Sequence, residues 1–345
     1  MAYTTINKSS DYFNTKLYTG NGGTQSITGV GHQPDLVWIK SRGTNGENHY
    51  LFDAIRGTTK YIHSDTSAAQ STNSSTLTAF GSNGFSVGAN NSVNKSSDTL
   101  VSWNWKANGQ GSANTDGTIN TTYTSANTTS GFSISTYTGT GANATVGHGL
   151  GVAPKMVICK KLNGGDGWFV YNEANGNDKY IFLNTSTAVS GSSAGFWNST
   201  SPTSTTFSLG TNGAVNASSS TYIAYCFADV QGYSKFGSYT GNGSTDGTFV
   251  YTGFKPAWIL TIRTNGNYKR LISDNKRNPF NAVNTYLSAE YADTDASGID
   301  LDFLSNGFKL RTTDVQRNAS GSPYIYMAFA EEPFVSTNGQ PATAR

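Results

Sequence analysis

Apolar residues along the chain fall in short runs of four to eight positions, many alternating with polar ones, and each run is bounded by glycine, asparagine or serine. Leu100-Val-Ser-Trp-Asn-Trp105, Tyr222-Ile-Ala-Tyr-Cys-Phe227 and Tyr324-Ile-Tyr-Met-Ala-Phe329 are three of them. A period of two puts alternate side chains on one face of a strand, and enrichment in Val, Ile, Tyr, Phe, Trp and Thr fits the same element. No segment carries a sustained stripe at helical spacing. The pattern predicts an all-β chain with about seven short strands per hundred residues, the density of an antiparallel sandwich or barrel.

The strand pattern recurs. Tyr18-Thr-Gly-Asn-Gly22 returns as Tyr239-Thr-Gly-Asn-Gly243 and, with one change, as Tyr137-Thr-Gly-Thr-Gly141. Each is followed by a Gly-x-x-Pro and an apolar run: Gly31-His-Gln-Pro34, Gly151-Val-Ala-Pro154 and Gly253-Phe-Lys-Pro256. Tyr and Pro are 16, 17 and 17 positions apart, and 71, 73 and 73 more lead to the last aromatic of the closing runs. A spacing held across several landmarks marks tandem copies of one unit. Asn45-Gly46, Asn163-Gly164 and Asn265-Gly266 predict a type I′ hairpin in each copy, because Asn-Gly accepts positive φ at both central positions. Phe80-Gly-Ser-Asn-Gly-Phe85 matches Phe303-Leu-Ser-Asn-Gly-Phe308, where the middle copy keeps only Phe207-Ser-Leu-Gly210. The expected architecture is three tandem homologous antiparallel β-sandwich, jelly-roll-like domains over 1–108, 109–230 and 231–345, each with its own interior. The middle one carries an extra segment, about 116–129, whose Thr118–Tyr123 stretch is expected as an edge strand, and the last ends in a polar tail, 336–345, expected to fray or to reach a neighbour.

Composition narrows the class. Aromatic residues at 12% and charged residues at 13% are the reverse of a disordered chain. The net charge of +2 is spread out, so no polyanion-binding surface is expected. No apolar stretch reaches membrane-spanning length, and the first residues lack an apolar signal core, so a soluble product without a recognisable secretion signal is expected. Cys159 and Cys226, each in an apolar run, are expected as buried reduced thiols.

Catalysis needs a constellation, and none emerges. His32, His49, His63 and His148 share no metal spacing and are expected on loops or strand ends. Asp293, Asp295, Ser297 and Gly298 imitate the start of a calcium loop, but Leu304 stands where a bidentate Glu is needed, so a solvated acidic loop is the favoured reading and a looser calcium site the alternative. Lys155, Lys160, Lys161 and the Asn275-Lys-Arg-Asn-Pro279 stretch are expected as ordinary surface charge. Trp38, Trp168, Trp197 and Trp258 are expected mostly in the core; an exposed one would be a platform for a sugar or a partner's pocket. No catalytic, cofactor-binding or metal-ligating residue is assigned.

The landmarks Tyr18-Thr-Gly-Asn-Gly22, Gly31-His-Gln-Pro34, Tyr233-Ser-Lys-Phe236, Phe303-Leu-Ser-Asn-Gly-Phe308 and Tyr326-Met-Ala-Phe-Ala-Glu-Glu-Pro333 resemble a β-rich domain family of marine bacteriophage virion proteins, tail-fibre-like in part. The resemblance covers nearly the whole chain and brings no catalytic residues. It implies a non-enzymatic virion structural protein on the particle surface, a capsid decoration or tail appendage, assembled in the host cytoplasm. The expected partners are other virion proteins and host glycans, with assembly as an oligomer or on a symmetric lattice; neither nucleic acid nor membrane is expected as a partner. Three copies about a pseudo-threefold axis would match a symmetric capsid position. Two alternatives stay open: a carbohydrate-binding adhesin or receptor-binding tail fibre recognising host surface glycans, and a glycan-degrading enzyme.

Overall fold

The computed structural model describes residues 3–191 and 194–341. It is all-β, built from antiparallel sheets. The same four strands recur in each repeat. An opening strand (Phe13–Thr19, Phe132–Thr138, Ser234–Thr240) pairs with a closing strand (Thr99–Trp105, Thr221–Phe227, Pro323–Pro333). The closing strand pairs in turn with a proline strand (Leu36–Ser41, Met156–Lys161, Phe254–Arg263), and that with a hairpin strand (Tyr50–Asp53, Trp168–Asn172, Arg270–Asp274). Register fixes the equivalences: Leu36, Met156 and Trp258 face Asp53, Asn172 and Asp274 on one side and Trp105, Phe227 and Phe329 on the other.

Each main sheet is covered on both faces, which is why Leu36–Ser41 and Tyr50–Asp53 are buried at every position. One face of all three sheets points to a single central core. Trp103, Trp105, Tyr225, Phe227, Met327 and Phe329 meet there with Trp38, Trp168 and Trp258. The expectation of three separate interiors therefore does not hold. The second face of each sheet packs its own outer core against a small sheet, with Val37 and Leu100 in repeat 1, Val157 and Tyr222 in repeat 2, and Ile259 and Tyr324 in repeat 3. Alternation in the sequence thus divides the residues of each main sheet between two cores.

The three expected hairpins form, but with loops of six to eight residues. Gly164 and Gly266 lack positive φ, and only Gly46 has it, at 82°, so the turns are not type I′. The extra edge strand of repeat 2 forms as Tyr123–Asn127, later than expected, against the opening strand. Upstream of it, Ile119 makes a bridge to Val146 of the small sheet. The tail pairs with the start of the chain: Asn7 Nδ2 donates to Thr337 Oγ1 at 2.6 Å and Thr337 N–H donates back to Asn7 Oδ1 at 2.7 Å. Residues 342–345 of that tail lie outside the described residues.

The repeated Tyr-Thr-Gly word has a structural reading. Each repeat carries an equivalent helical turn (Asn91–Asn94, Gly213–Asn216, Val315–Asn318), capped by Asn90, Asn212 or Asp314 and ending in a fully buried asparagine. Tyr18, Tyr137 and Tyr239 donate their hydroxyls to the carbonyls of Val93, Val215 and Arg317 at 2.8, 2.8 and 2.9 Å. The amide of Asn94 donates to Gly88 O at 2.9 Å, that of Asn216 to Gly210 O at 2.8 Å and that of Asn318 to Thr312 O at 2.8 Å. The first glycine of the word lies so close to this turn that a Cβ on Gly20 would sit 2.1 Å from Lys95 O, and 2.4 Å from the matching carbonyl at Gly139 or Gly241. Close approach, rather than a bend, excludes every other residue there.

Candidate functional site

Polar groups between the repeats are arranged cyclically. His49, Trp168 and Arg270 occupy one equivalent position, and each donates to the backbone of a different repeat: His49 Nε2 to Ser288 O at 3.0 Å, Trp168 Nε1 to His63 O at 2.7 Å, and Arg270 Nε to Phe182 O at 3.0 Å. The three acceptors are equivalent as well, so repeat 1 holds 3, 2 holds 1 and 3 holds 2. Lys40 and Lys160 repeat the direction, donating to Ala292 O and Ser67 O at 3.4 and 3.2 Å. Burial pulls both ammonium pKa values down to about 8.

Two buried ion pairs strengthen the closure. Asp53 pairs with Arg56 and accepts the Tyr225 hydroxyl at 2.9 Å; Asp274 pairs with Arg277 at 2.6 Å and accepts the Trp103 indole N–H at 3.2 Å. Asn172 takes the aspartate's place in repeat 2, and the partner positions there are Asn175 and Met327. Arg277 also reaches Asp295 at 2.9 Å, and Arg42 of repeat 1 reaches the same carboxylate at 2.7 Å.

These bonds account for most of the residues singled out in the sequence. All four histidines lie on loops or strand ends, as expected, but three of them are buried rather than at the surface, because each ring is used in packing. Besides His49, His32 Nδ1 sits 2.9 Å from Ser10 O with its pKa lowered to about 4 by burial, and His148 accepts the Leu150 N–H at 3.1 Å. Lys160 and Arg277 are buried rather than surface charges. Asp295 joins repeats 1 and 3, so one end of the acidic segment is a junction, while Asp293, Ser297 and Gly298 stay exposed on a loop and Asp293 lies 3.6 Å from Lys269. Among the described residues no group of three or more His, Cys, Asp or Glu is placed to hold a metal ion. Cys159 and Cys226 are free and buried, and burial pushes the Cys159 thiol up to about 12. All six tryptophans are buried, so none offers a platform. The apolar cavity where the three sheets meet, lined by Trp38, Trp105 and Trp168 among others, measures only about 20 Å3 and leaves no room for a ligand.

What remains for function is the surface, and it is uneven. Five of the six large apolar side chains that are exposed among the described residues belong to repeat 3: Phe249, Tyr251, Phe280, Tyr291 and Val315. Phe249 and Tyr251 lie on the edge strand of its small sheet, Phe249–Tyr251, where Val250 between them faces inward against Phe308. The equivalent positions hold Ser26 and Thr28 in repeat 1 and Thr145 and Gly147 in repeat 2. Beside Tyr251 runs a groove of about 440 Å3 lined by Tyr3, Asp229, Gln231, Ser234, Lys235 and Gly253. A second hollow of about 290 Å3 lies under Phe280, which is 73% exposed. Phe249, Tyr251 and Phe280 did not stand out in the sequence as candidate functional residues. A comparison of Phe249 and Tyr251 with their small counterparts in the other copies was the signal available.

No curated protein matches the chain. Residues 8–333 match a family model described as a domain of unknown function (DUF7483), a span that runs across all three repeats and their shared core. The chain belongs to that family.

Proposed function

We propose that the chain is a non-enzymatic structural protein on the surface of a bacteriophage particle, which docks through repeat 3. The observation that carries the docking role is the contrast between a closed interior and one uneven face. Buried ionisable groups such as Asp53, Asp274, Arg270 and Lys160 are engaged in bonds that hold the repeats together, the two aspartates through Tyr225 and Trp103. Exposed large apolar side chains, by contrast, are concentrated in repeat 3, with Phe249 and Tyr251 side by side on one strand, and adjacent exposed apolar groups are a mark of contact surfaces. The phage setting rests on the sequence resemblance to virion proteins. A threefold-like unit with joined ends suits a rigid block on a symmetric lattice. Immunogold labelling of intact particles with antibodies against the chain tests the reading. Gold on the particle surface is the expected result, and recovery of the chain only in particle-free lysate would overturn it.

A further inference from the structure

We propose that the groove beside Tyr251 is a binding site for a neutral sugar, one per chain. The inference rests on the reading of repeat 3 as the docking face and gives that face a ligand. Tyr251 is 56% exposed, and its hydroxyl lies 3.4 Å from that of Tyr3, which in turn donates to Gly253 O at 2.8 Å. Across the groove, Asp229 is ion-paired with Lys235 and accepts the Phe236 N–H at 2.8 Å. The polar lining is thus held in place before any ligand arrives, which lowers the cost of ordering it. Gln231 is exposed and adds an amide with both donors and an acceptor.

Three features select the ligand class. The carboxylate and ammonium cancel, so the groove favours neither an anion nor a cation. Its lining combines hydrogen-bonding groups with the exposed Tyr251 ring, and the negative face of an aromatic ring complements the C–H edges of a pyranose while carboxylate, amide and hydroxyls suit its OH groups. At about 440 Å3 it falls within the usual range of small-molecule sites, about 300–1,000 Å3. The single site follows from the other repeats. The matching groove of repeat 1 is lined by Asn14, Thr15, Lys16, Leu17, Gly29 and Lys276 and has no aromatic ring. In repeat 2, residues of the extra segment fill that place: Ala126 and Thr124 approach Gly149, the counterpart of the Tyr251–Gly253 corner.

The test is saturation-transfer NMR on the full chain with the methyl glycosides of glucose, galactose, mannose and N-acetylglucosamine, together with free N-acetylneuraminic acid. At least one neutral glycoside is expected to bind at one site per chain. Tyr251→Ala should weaken it roughly three- to tenfold, Tyr251→Trp should retain it, and Phe280→Ala should leave it unchanged. Failure of every neutral glycoside at about 20 mM, binding of N-acetylneuraminic acid alone, or affinity unaffected by Tyr251→Ala would each overturn the proposal. Particle labelling is read independently, so a failed groove and a failed particle assignment are told apart.

Discussion

Repeats 2 and 3 share a backbone plan yet treat the same edge in opposite ways. In repeat 2, the Ile119 N–H donates to Thr145 O at 3.0 Å and Ile119 bridges Val146, so the chain covers the edge of its small sheet, just as Tyr123–Asn127 covers the edge of its main sheet. In repeat 3, Phe249–Tyr251 pairs on one side only, and aromatics replace the small residues found elsewhere. A bare edge with exposed aromatics is a liability that folded proteins ordinarily blunt with charge, proline or a covering segment. Its retention in one copy, beside a copy that covers it, is what supports the proposal that docking uses repeat 3. The interior shows the complementary contrast: repeats 1 and 3 carry a buried aspartate–arginine pair where repeat 2 carries Asn172 and Asn175.

The largest expected effect tests that interior contrast. Asp274→Ala would leave Arg277 buried with its main partner gone and the Trp103 indole N–H unpaired, a loss of about 3–5 kcal/mol. Asn172→Ala removes no charge and should cost about 1 kcal/mol. Urea denaturation of the two variants checks this. Equal losses would mean that the ion pairs do not distinguish the junctions.

Next in size is a property that the repeats share. Asn318→Ala would strip the helical turn of the amide that donates to Thr312 O, Ser244 O and Asn242 Oδ1, for a loss of about 2 kcal/mol. Asn94→Ala and Asn216→Ala should cost the same within about 0.5 kcal/mol if the clamp is one device used three times. Unfolding midpoints that differ widely among the three would break the equivalence.

Acid separates the junctions by chemistry. His49 stands where Trp168 and Arg270 stand in the other repeats; Nδ1 accepts the Trp38 indole N–H at 2.8 Å while Nε2 donates to Ser288 O, so the ring must be neutral. Burial holds its pKa well below the ordinary imidazole value, with Lys40 and His63 adding to the effect and the Ser288 and Tyr291 carbonyls opposing it. A depressed folded pKa means that the stabilisation is whole above about pH 6.5 and is lost as pH falls below that. Asp65 and Glu290, raised to about 6 and about 7 chiefly by burial, act in the opposite sense over part of that window. The informative quantity is therefore the stability of the wild type minus that of His49→Gln, which should shrink between pH 7 and pH 4.5. A constant difference would show that the ring does not titrate with folding.

Landmark spacing revealed the three copies because strand ends and close backbone approaches tolerate few residues; Gly20, Gly139 and Gly241 are the clearest case. Asn94, Asn216 and Asn318 are equally regular in the sequence, yet an asparagine in a Ser/Asn-rich chain reads as a turn until its burial is known. The shared core was not legible for a different reason. Alternation tells which side chains share a face of a strand, but not whether the opposite face meets water or a second layer, so His32, Lys160 and Arg277 read as surface residues. The equivalence of His49, Trp168 and Arg270 was hidden because hydrogen bonding to a neighbour's carbonyl asks only for a donor, and three unlike side chains provide one. The groove at Tyr251 required the register of Val250 with Phe308, since only that pairing turns Phe249 and Tyr251 outward.

The smallest expected effect on stability is the most direct test of the opening comparison. Replacing Phe249 by Ser and Tyr251 by Thr gives repeat 3 the residues of repeat 1, Ser26 and Thr28. Both rings are substantially exposed, at 44% and 56%, and the inward residue Val250 is untouched, so the unfolding free energy should move by no more than about 0.5 kcal/mol. The backbone ladder to Gly307–Leu310 does not depend on either side chain, and serine and threonine are accepted at the same place in repeat 1. Attachment of the chain to particles assembled without it should nevertheless fall, because the substitutions remove the feature that sets this edge apart. A double variant that docks as well as the wild type would shift recognition to Phe280 and the hollow beneath it. One that loses about 2 kcal/mol or more would show that the rings belong to the fold, and the contrast between a covered edge and a bare one would then carry no functional meaning.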